Sequence, residues 1–202
     1  MTTVLKSSIQ AFNDQVLNSL KSKYPDAVIK VEVAAGTNIS RMDETNFWEV
    51  IDCLDWHQKD RKQILQPAVE RLSRYPIEEI YAFHNLLAQK LYALDGRQFA
   101  VRLGSNRYLD NEDRYFSVDD FLYSRCGVVA RGKDYYNLVL QNPGRMPKEF
   151  TFEPLLSLPR KAYQLKTGLT DYNHITDVWY ETFSNPDGWP GDKTLKDVLL
   201  DS

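Results

Sequence analysis

The stretch from Ile77 to Asp95, IEEIYAFHNLLAQKLYALD, constrains the fold more than any other part of the chain. Pro76 precedes it, and proline suits a helix start because its φ is already helical and its missing N–H has no partner there. Apolar residues recur every three or four positions, which predicts an amphipathic helix. The apolar face comprises Ile77, Ile80, Tyr81, Leu87, Ala88 and Leu91, widened by Phe83, Leu86, Tyr92 and Leu94. So wide a face needs cover on several sides, so we predict that this helix is the buried centre of a bundle.

Periodicity also predicts helices on both sides of this stretch. They cover Val4–Leu20, Phe47–Leu54, Asp60–Tyr75, Arg97–Leu103, Val118–Val129, Lys133–Leu140, Glu153–Lys166 and Leu195–Leu200. Two stretches rich in β-branched or aromatic residues, Ala27–Ala34 and Ile175–Phe183, are typical of strands. Because an isolated strand leaves its backbone groups unpaired, we expect these two to pair. The predicted fold class is mainly α (α+β): a helical bundle around helix 77–95 with a small two-stranded β element from the two termini.

The loop at residues 36–40 is the best internal boundary. We therefore predict an N-terminal helix–strand addition at residues 1–40. Residues 41–202 then form a helical domain with a C-terminal strand and tail, and we expect one compact unit.

Composition limits the classes of function. The chain has 202 residues, of which 43% are hydrophobic and 26% charged, and its net charge is −3. This balance suits a folded protein. The mild negative net charge does not indicate the basic surface that binding to nucleic acid or an anionic membrane requires. No apolar run reaches the roughly 20 residues that span a bilayer, and the N-terminus has no secretory h-region. We predict no nucleic-acid partner and no membrane partner.

The two cysteines, Cys53 and Cys126, are too few for a disulfide framework, which favours a reducing cytoplasm. Cys126 lies on the core face of its helix, so we interpret it as a buried structural thiol. A nucleophilic site that combines it with His84 is the alternative. His84 lies in the middle of an apolar face, which indicates a core histidine with a hydrogen-bond partner rather than a catalytic base.

Cofactor and metal motifs are missing. Neither GxxxxGK nor GxGxxG occurs in the sequence. The acidic loop at residues 110–120 lacks the glycine and the terminal glutamate of an EF-hand. We predict no cofactor and no metal site.

Arg125 lies at the flank of a predicted buried face, where an arginine must extend to solvent or find a partner. A buried ion pair with Asp52 or Asp95 is the favoured interpretation, and a solvated arginine or an anion site are the alternatives. Trp189, in the turn NPDGWP, and Trp56, at the end of a helix, are candidate interface residues because tryptophan is enriched in binding hot spots. Tryptophans in such positions more often cover an edge of the core, which is the other interpretation of both.

Four segments together resemble a bacterial helical domain family of unknown function. They are FWEVID (47–52), YAFHNLLAQKLYALD (81–95), YFSVDDFLYSRCGVVARG (115–132) and YETFSNPDGW (180–189). The resemblance covers residues 44–190 and implies a mostly α fold in the cytoplasm of a bacterium. It brings no activity, cofactor or catalytic residue.

Without a catalytic motif, the sequence favours a non-catalytic protein that binds an unidentified protein partner, as an immunity-type protein or an adaptor. The alternative is an enzyme of unrecognised type, with a small-molecule site in the helical bundle. The oligomeric state is left open.

Overall fold

A computed structural model describes residues 18, 22–24, 41–105, 107–108 and 116–190. The chain divides into two compact units, Met1–Asn38 and Ile39–Ser202. The predicted strand Ala27–Ala34 and the predicted helix Leu195–Leu200 lie outside the described residues, as does most of Val4–Leu20. The helices described here all belong to the second unit.

The described residues of the second unit form seven α-helices. These are α1 (Glu44–Ile51), α2 (Arg61–Ser73), α3 (Ile77–Ala93), α4 (Arg97–Ala100), α5 (Val118–Ala130), α6 (Lys133–Gln141) and α7 (Leu158–Thr167). Short 3-10 turns occupy Pro143–Arg145, Glu153–Ser157 and Pro186–Gly188. The prediction of a mainly helical protein is confirmed. Within the described residues, none of these helices has the length and apolar character needed to cross a membrane.

Two helix starts follow from local capping. The Asp43 carboxylate accepts a hydrogen bond from the backbone N–H of Asn46 at 2.8 Å, at the start of α1. The Ser117 hydroxyl accepts one from the N–H of Asp120 at 3.2 Å, at the start of α5. Each side chain satisfies a backbone donor that has no partner inside its helix, so these capping residues stabilise the helix starts that the structure shows.

Helix α3 is covered by three other helices. It packs against α1, α5 and α7, and α2 in turn packs against α7. The side chains of Ile80, Phe83, Leu87 and Leu91 are buried, and the Phe83 ring stacks on Phe47 of α1 with 4.8 Å between ring centres. The wide apolar face of α3 therefore packs against neighbouring helices, as its periodicity predicted.

The predicted strand Ile175–Phe183 is wrong. The chain bends at residues 177–178 and 181 and turns at residues 182–183, and no β-strand occurs among the described residues. Phe183 has a positive φ of 73°, which a strand does not allow. Its N–H donates to a buried carboxylate of Asp95 rather than to a neighbouring strand. The two-stranded β element is therefore not seen. Helix side chains bind only a few backbone groups of this stretch, such as the Asp177 N–H and the Tyr180 carbonyl, where a second strand would form a continuous ladder.

Candidate functional site

Arg125 is the centre of a buried polar network that joins α3, α5 and the C-terminal segment, defined here as residues 169–190. Its side chain is fully buried. Nη1 donates to the carbonyl oxygens of Leu91 at 3.0 Å and Tyr180 at 2.9 Å. Nη2 donates to the hydroxyl of Thr182 at 3.0 Å. The network ties the C-terminal segment to two helices through one guanidinium group.

Asp95 is the carboxylate beside Arg125. Its Oδ1 lies 3.8 Å from Nη1, and both side chains are fully buried. Asp95 also accepts hydrogen bonds from the N–H groups of Phe183 (3.2 Å) and Asn185 (3.0 Å) and from the indole N–H of Trp189 (3.1 Å). Burial raises the pKa of Asp95 above its ordinary value, while Arg125 and the three donors act to lower it. Arg125 and Asp95 together fix the end of the C-terminal segment.

Asp52 does not pair with Arg125. It is the exposed C-cap residue of α1, beyond the buried face of that helix. It lies beside the start of α6, where a Cβ added to Gly132 would be 3.3 Å from its Oδ1. Here an open groove of about 400 Å³ is lined by Thr45, Trp48, Glu49, Asp52, Arg131, Gly132, Lys133 and Asp134. Of the two partners that the sequence left open, the structure brings only Asp95 to the arginine.

Trp189 does not form an exposed interface. Its side chain is only 2% exposed, and its ring lies against Phe183 at 4.5 Å and against Tyr108 at 5.3 Å between ring centres. The turn NPDGWP folds inward, and the indole N–H of Trp189 donates to the buried Asp95 carboxylate. Trp189 is therefore a core residue.

Trp56 remains accessible. Its side chain is 44% exposed, and its ring rests on Phe152 with 5.1 Å between ring centres and on Phe150 with 5.9 Å. It covers an edge of the core and also faces solvent, so its role in an interface stays a prediction.

Exposure alternates along residues 171–181 of the C-terminal segment. Even-numbered residues are half-buried against the helices and odd-numbered residues are exposed. This alternation is the pattern of extended backbone, interrupted here by the bend at residues 177–178. We call the half-buried side the inward row and the exposed side the outward row. The inward row comprises Tyr172, His174, Thr176, Val178 and Tyr180, and the outward row comprises Asp171, Asn173, Ile175, Asp177, Trp179 and Glu181.

Asn85 on α3 anchors the middle of the segment. Its Oδ1 accepts the ring N–H of His174 at 2.8 Å and the backbone N–H of Asp177 at 3.3 Å. The His174 ring also stacks on Tyr81, with 4.6 Å between ring centres and 10° between ring planes. A side-chain amide thus provides an acceptor that a second strand would otherwise supply.

His84 anchors the start of the segment. Its Nδ1 shares a hydrogen bond with the Tyr172 hydroxyl at 3.0 Å. Burial lowers the pKa of His84 to about 4, and the nearby His174 contributes to the shift. His84 is therefore neutral at pH 7, and its contacts are those of a packed histidine.

The two most exposed large apolar side chains in the described residues lie on the outward row. Ile175 is 79% exposed and Trp179 is 70% exposed. Leu165 and Leu169, just before the row, are also about half exposed. Sequence reasoning missed Ile175 and Trp179 because alternation shows which residues share a side, but not which side faces solvent.

The buried thiol of Cys126 is not arranged to act as a nucleophile. Cys126 is fully buried and burial raises the pKa of its thiol to about 12, which removes the thiolate needed for attack. Among the described residues, no group of three or more His, Cys, Asp or Glu side chains could hold a metal ion.

These features define a helical domain whose C-terminal segment is held by buried polar residues and leaves one apolar row exposed. Residues 42–165, more than half of the chain, match the family described as "Protein of unknown function (DUF4240)". The chain belongs to this family. No curated protein and no solved structure matches the sequence.

Proposed function

We propose that this chain is a non-catalytic protein that binds another protein through the outward row of its C-terminal segment. One observation carries the proposal: Ile175 and Trp179 are 79% and 70% exposed on a segment whose inward row is hydrogen-bonded and packed. Apolar side chains that point to water from an ordered backbone gain free energy when a partner covers them.

The geometry suits one continuous contact. Ile175 and Trp179 share the outward row and are at most about 14 Å apart along the chain. Tryptophan is enriched among the residues that dominate binding free energy. Because the inward row already fixes the segment, little ordering would oppose association.

An immunity-type or adaptor role in the cytoplasm is the form of this function that we favour. Either role needs an exposed recognition surface and neither needs a nucleophile or a cofactor. Two free thiols, Cys53 and Cys126, suit a reducing compartment.

The enzyme alternative would use the groove between α1 and the start of α6. The groove is open and lined by charges of both signs, which could orient a small polar molecule. Its lining, as far as the described residues form it, includes a threonine, a lysine and three carboxylates, which are residue types that can act as nucleophile or base. We favour the binding role because Ile175 and Trp179 are exposed on an ordered segment, which a partner surface explains directly.

The test uses the full-length chain as bait in a lysate of its native host. A partner retained stoichiometrically by the parent should be lost by the double variant Ile175→Ser/Trp179→Ser. Leu138→Ser, which changes an exposed leucine on α6, is the matched control and should keep the partner. Trp56→Ser tests the other exposed tryptophan, and this variant should also keep the partner if binding uses Trp179.

All variants should first show the thermal midpoint of the parent within a few degrees, because exposed substitutions usually change stability by less than about 0.5 kcal/mol. A partner captured equally by the double variant would contradict the proposal. So would a lysate from which the parent retains no protein.

A further inference from the structure

We infer that the partner contributes an extended, basic peptide segment that pairs with residues 171–176 as an added β-strand. This inference rests on the proposed function and specifies the chemistry of the partner.

The backbone of this stretch is free to pair. Within the described chain, the N–H groups of residues 172–176 and 178–180 donate no hydrogen bond. Three neighbouring backbone groups are already bound: the Asp177 N–H by Asn85, the Val178 carbonyl by the Thr176 hydroxyl at 2.8 Å, and the Tyr180 carbonyl by Arg125. Extended backbone with unpaired donors and acceptors is what an incoming strand requires.

The stretch is also held in place before any partner arrives. Tyr172 is fixed to His84, and His174 is fixed to Asn85. Both anchors belong to the inward row, so they hold the backbone from one side and leave the outward row exposed. An ordered edge of about six residues matches the length of an ordinary strand.

Charge identifies the kind of strand. No lysine or arginine occurs between Lys166 and Lys193, whereas Asp171, Asp177 and Glu181 all lie on the outward row. In the described chain, no cationic side chain lies within ion-pair distance of Asp177 or Glu181. Opposite charges directly across a strand pair are stabilising and like charges are destabilising. The complementary strand therefore carries lysine or arginine opposite the carboxylates and an apolar residue opposite Ile175.

A second copy of this chain fits poorly. Antiparallel self-pairing that uses the whole stretch from Asp171 to Asp177 sets these two carboxylates opposite each other twice. That register places four negative charges along one short ladder, which opposes association. The occupant is thus a different, basic chain.

The test uses a peptide designed from this reasoning, acetyl-Lys-Thr-Val-Thr-Ser-Thr-Lys-amide, titrated into the ¹⁵N-labelled full-length chain. In an antiparallel register its lysines face Asp177 and Asp171, and its valine faces Ile175. We expect the amides of residues 172–176 to shift, and every second one, on the edge that faces the peptide, to exchange more slowly with solvent. We expect Asp177→Lys to weaken binding by about tenfold, since one favourable cross-strand pair becomes a repulsion.

Three controls isolate strand pairing. The same peptide with glutamate in place of lysine tests charge, and a peptide N-methylated at alternate residues tests the backbone hydrogen bonds; both should bind at least about tenfold more weakly. Glu149→Lys reverses an exposed carboxylate outside the segment and should leave binding unchanged. Sedimentation should show the same monomeric species for the parent and for Asp177→Lys.

The outcomes separate this inference from the function beneath it. If the N-methylated peptide binds as well as the parent peptide, or binding leaves amide exchange unchanged, strand addition is overturned. If no peptide binds but a host protein still depends on Ile175 and Trp179, strand addition by a basic segment is overturned and the binding role stands. If neither a peptide nor a host protein depends on the segment, both fail. A dimer that dissociates when Asp177 is reversed would overturn the choice of a different chain.

Discussion

Replacing Arg125 tests the most consequential structural feature, the buried ion pair. Arg125→Met keeps much of the side-chain volume but removes the charge and all three hydrogen bonds to Leu91, Tyr180 and Thr182. It also leaves the Asp95 carboxylate buried without its counter-charge. Breaking one side of a buried pair costs about 3–5 kcal/mol. Because a domain of this kind is stable by only about 5–15 kcal/mol, the change should be large in any unfolding assay.

The assay is urea denaturation of Arg125→Met, Asp95→Asn and the double variant. Asn at position 95 can still accept the N–H groups of Phe183 and Trp189 through Oδ1, but its NH₂ group would face the N–H of Asn185. The double variant should cost at least about 1 kcal/mol less than the sum of the single variants, because the second change removes a charge already unpaired.

A surface pair provides the matched control. Arg71 Nη2 lies 3.1 Å from Glu49 Oε2, with the two side chains 39% and 53% exposed. Arg71→Met should cost only about 0–1 kcal/mol, since solvent screens this pair. If Arg125→Met fell in that same range, or the single variants were additive, the ion pair would not be what holds the C-terminal segment.

Three further outcomes are expected. The folded-state pKa of His84 is lowered to about 4 from its ordinary 6.5, so between these pH values the unfolded chain binds more protons than the folded chain. The free energy of unfolding, measured by urea titration, should therefore decrease as the pH falls from 6.5 toward 4, and His84→Gln should flatten that dependence. Gly188→Ala would place its Cβ against the carbonyl oxygen of Asp95, closer than a non-bonded contact allows; it should destabilise by about 1–3 kcal/mol or more in thermal denaturation, and an unchanged midpoint would show that the turn is loose. Buried Cys126 should not react with a disulfide reagent in the native protein, whereas Cys53 is partly accessible; Cys53→Ser should therefore show no native reaction and one thiol in urea, and a fast native reaction would mean that the core opens.

Packing decides what the exposed surface is, and this part of the candidate site was not predictable from the sequence. The composition of Ile175–Phe183 indicated extended backbone. The groups that bind part of this backbone are helix side chains, Asn85 and Arg125, which come from distant positions in the sequence. From the sequence, Trp189 was a candidate interface residue or a cover over an edge of the core, and its position in a turn could not distinguish the two. Its indole N–H donates to the buried carboxylate of Asp95, which lies far away in the sequence. No local sequence pattern shows that these two residues meet.

The sequence by itself indicated the helices that the structure describes, and it singled out Arg125. Helix periodicity and capping are local, so Asp43 and Ser117 can start helices wherever the helices later pack. An arginine beside an apolar face must either reach solvent or find acceptors. Only the tertiary structure decided that Asp95 rather than Asp52 supplies the charge, and that Ile175 and Trp179 face solvent. Both outcomes depend on how elements far apart in sequence meet, and that arrangement is set by the summed packing of many side chains rather than by any single stretch.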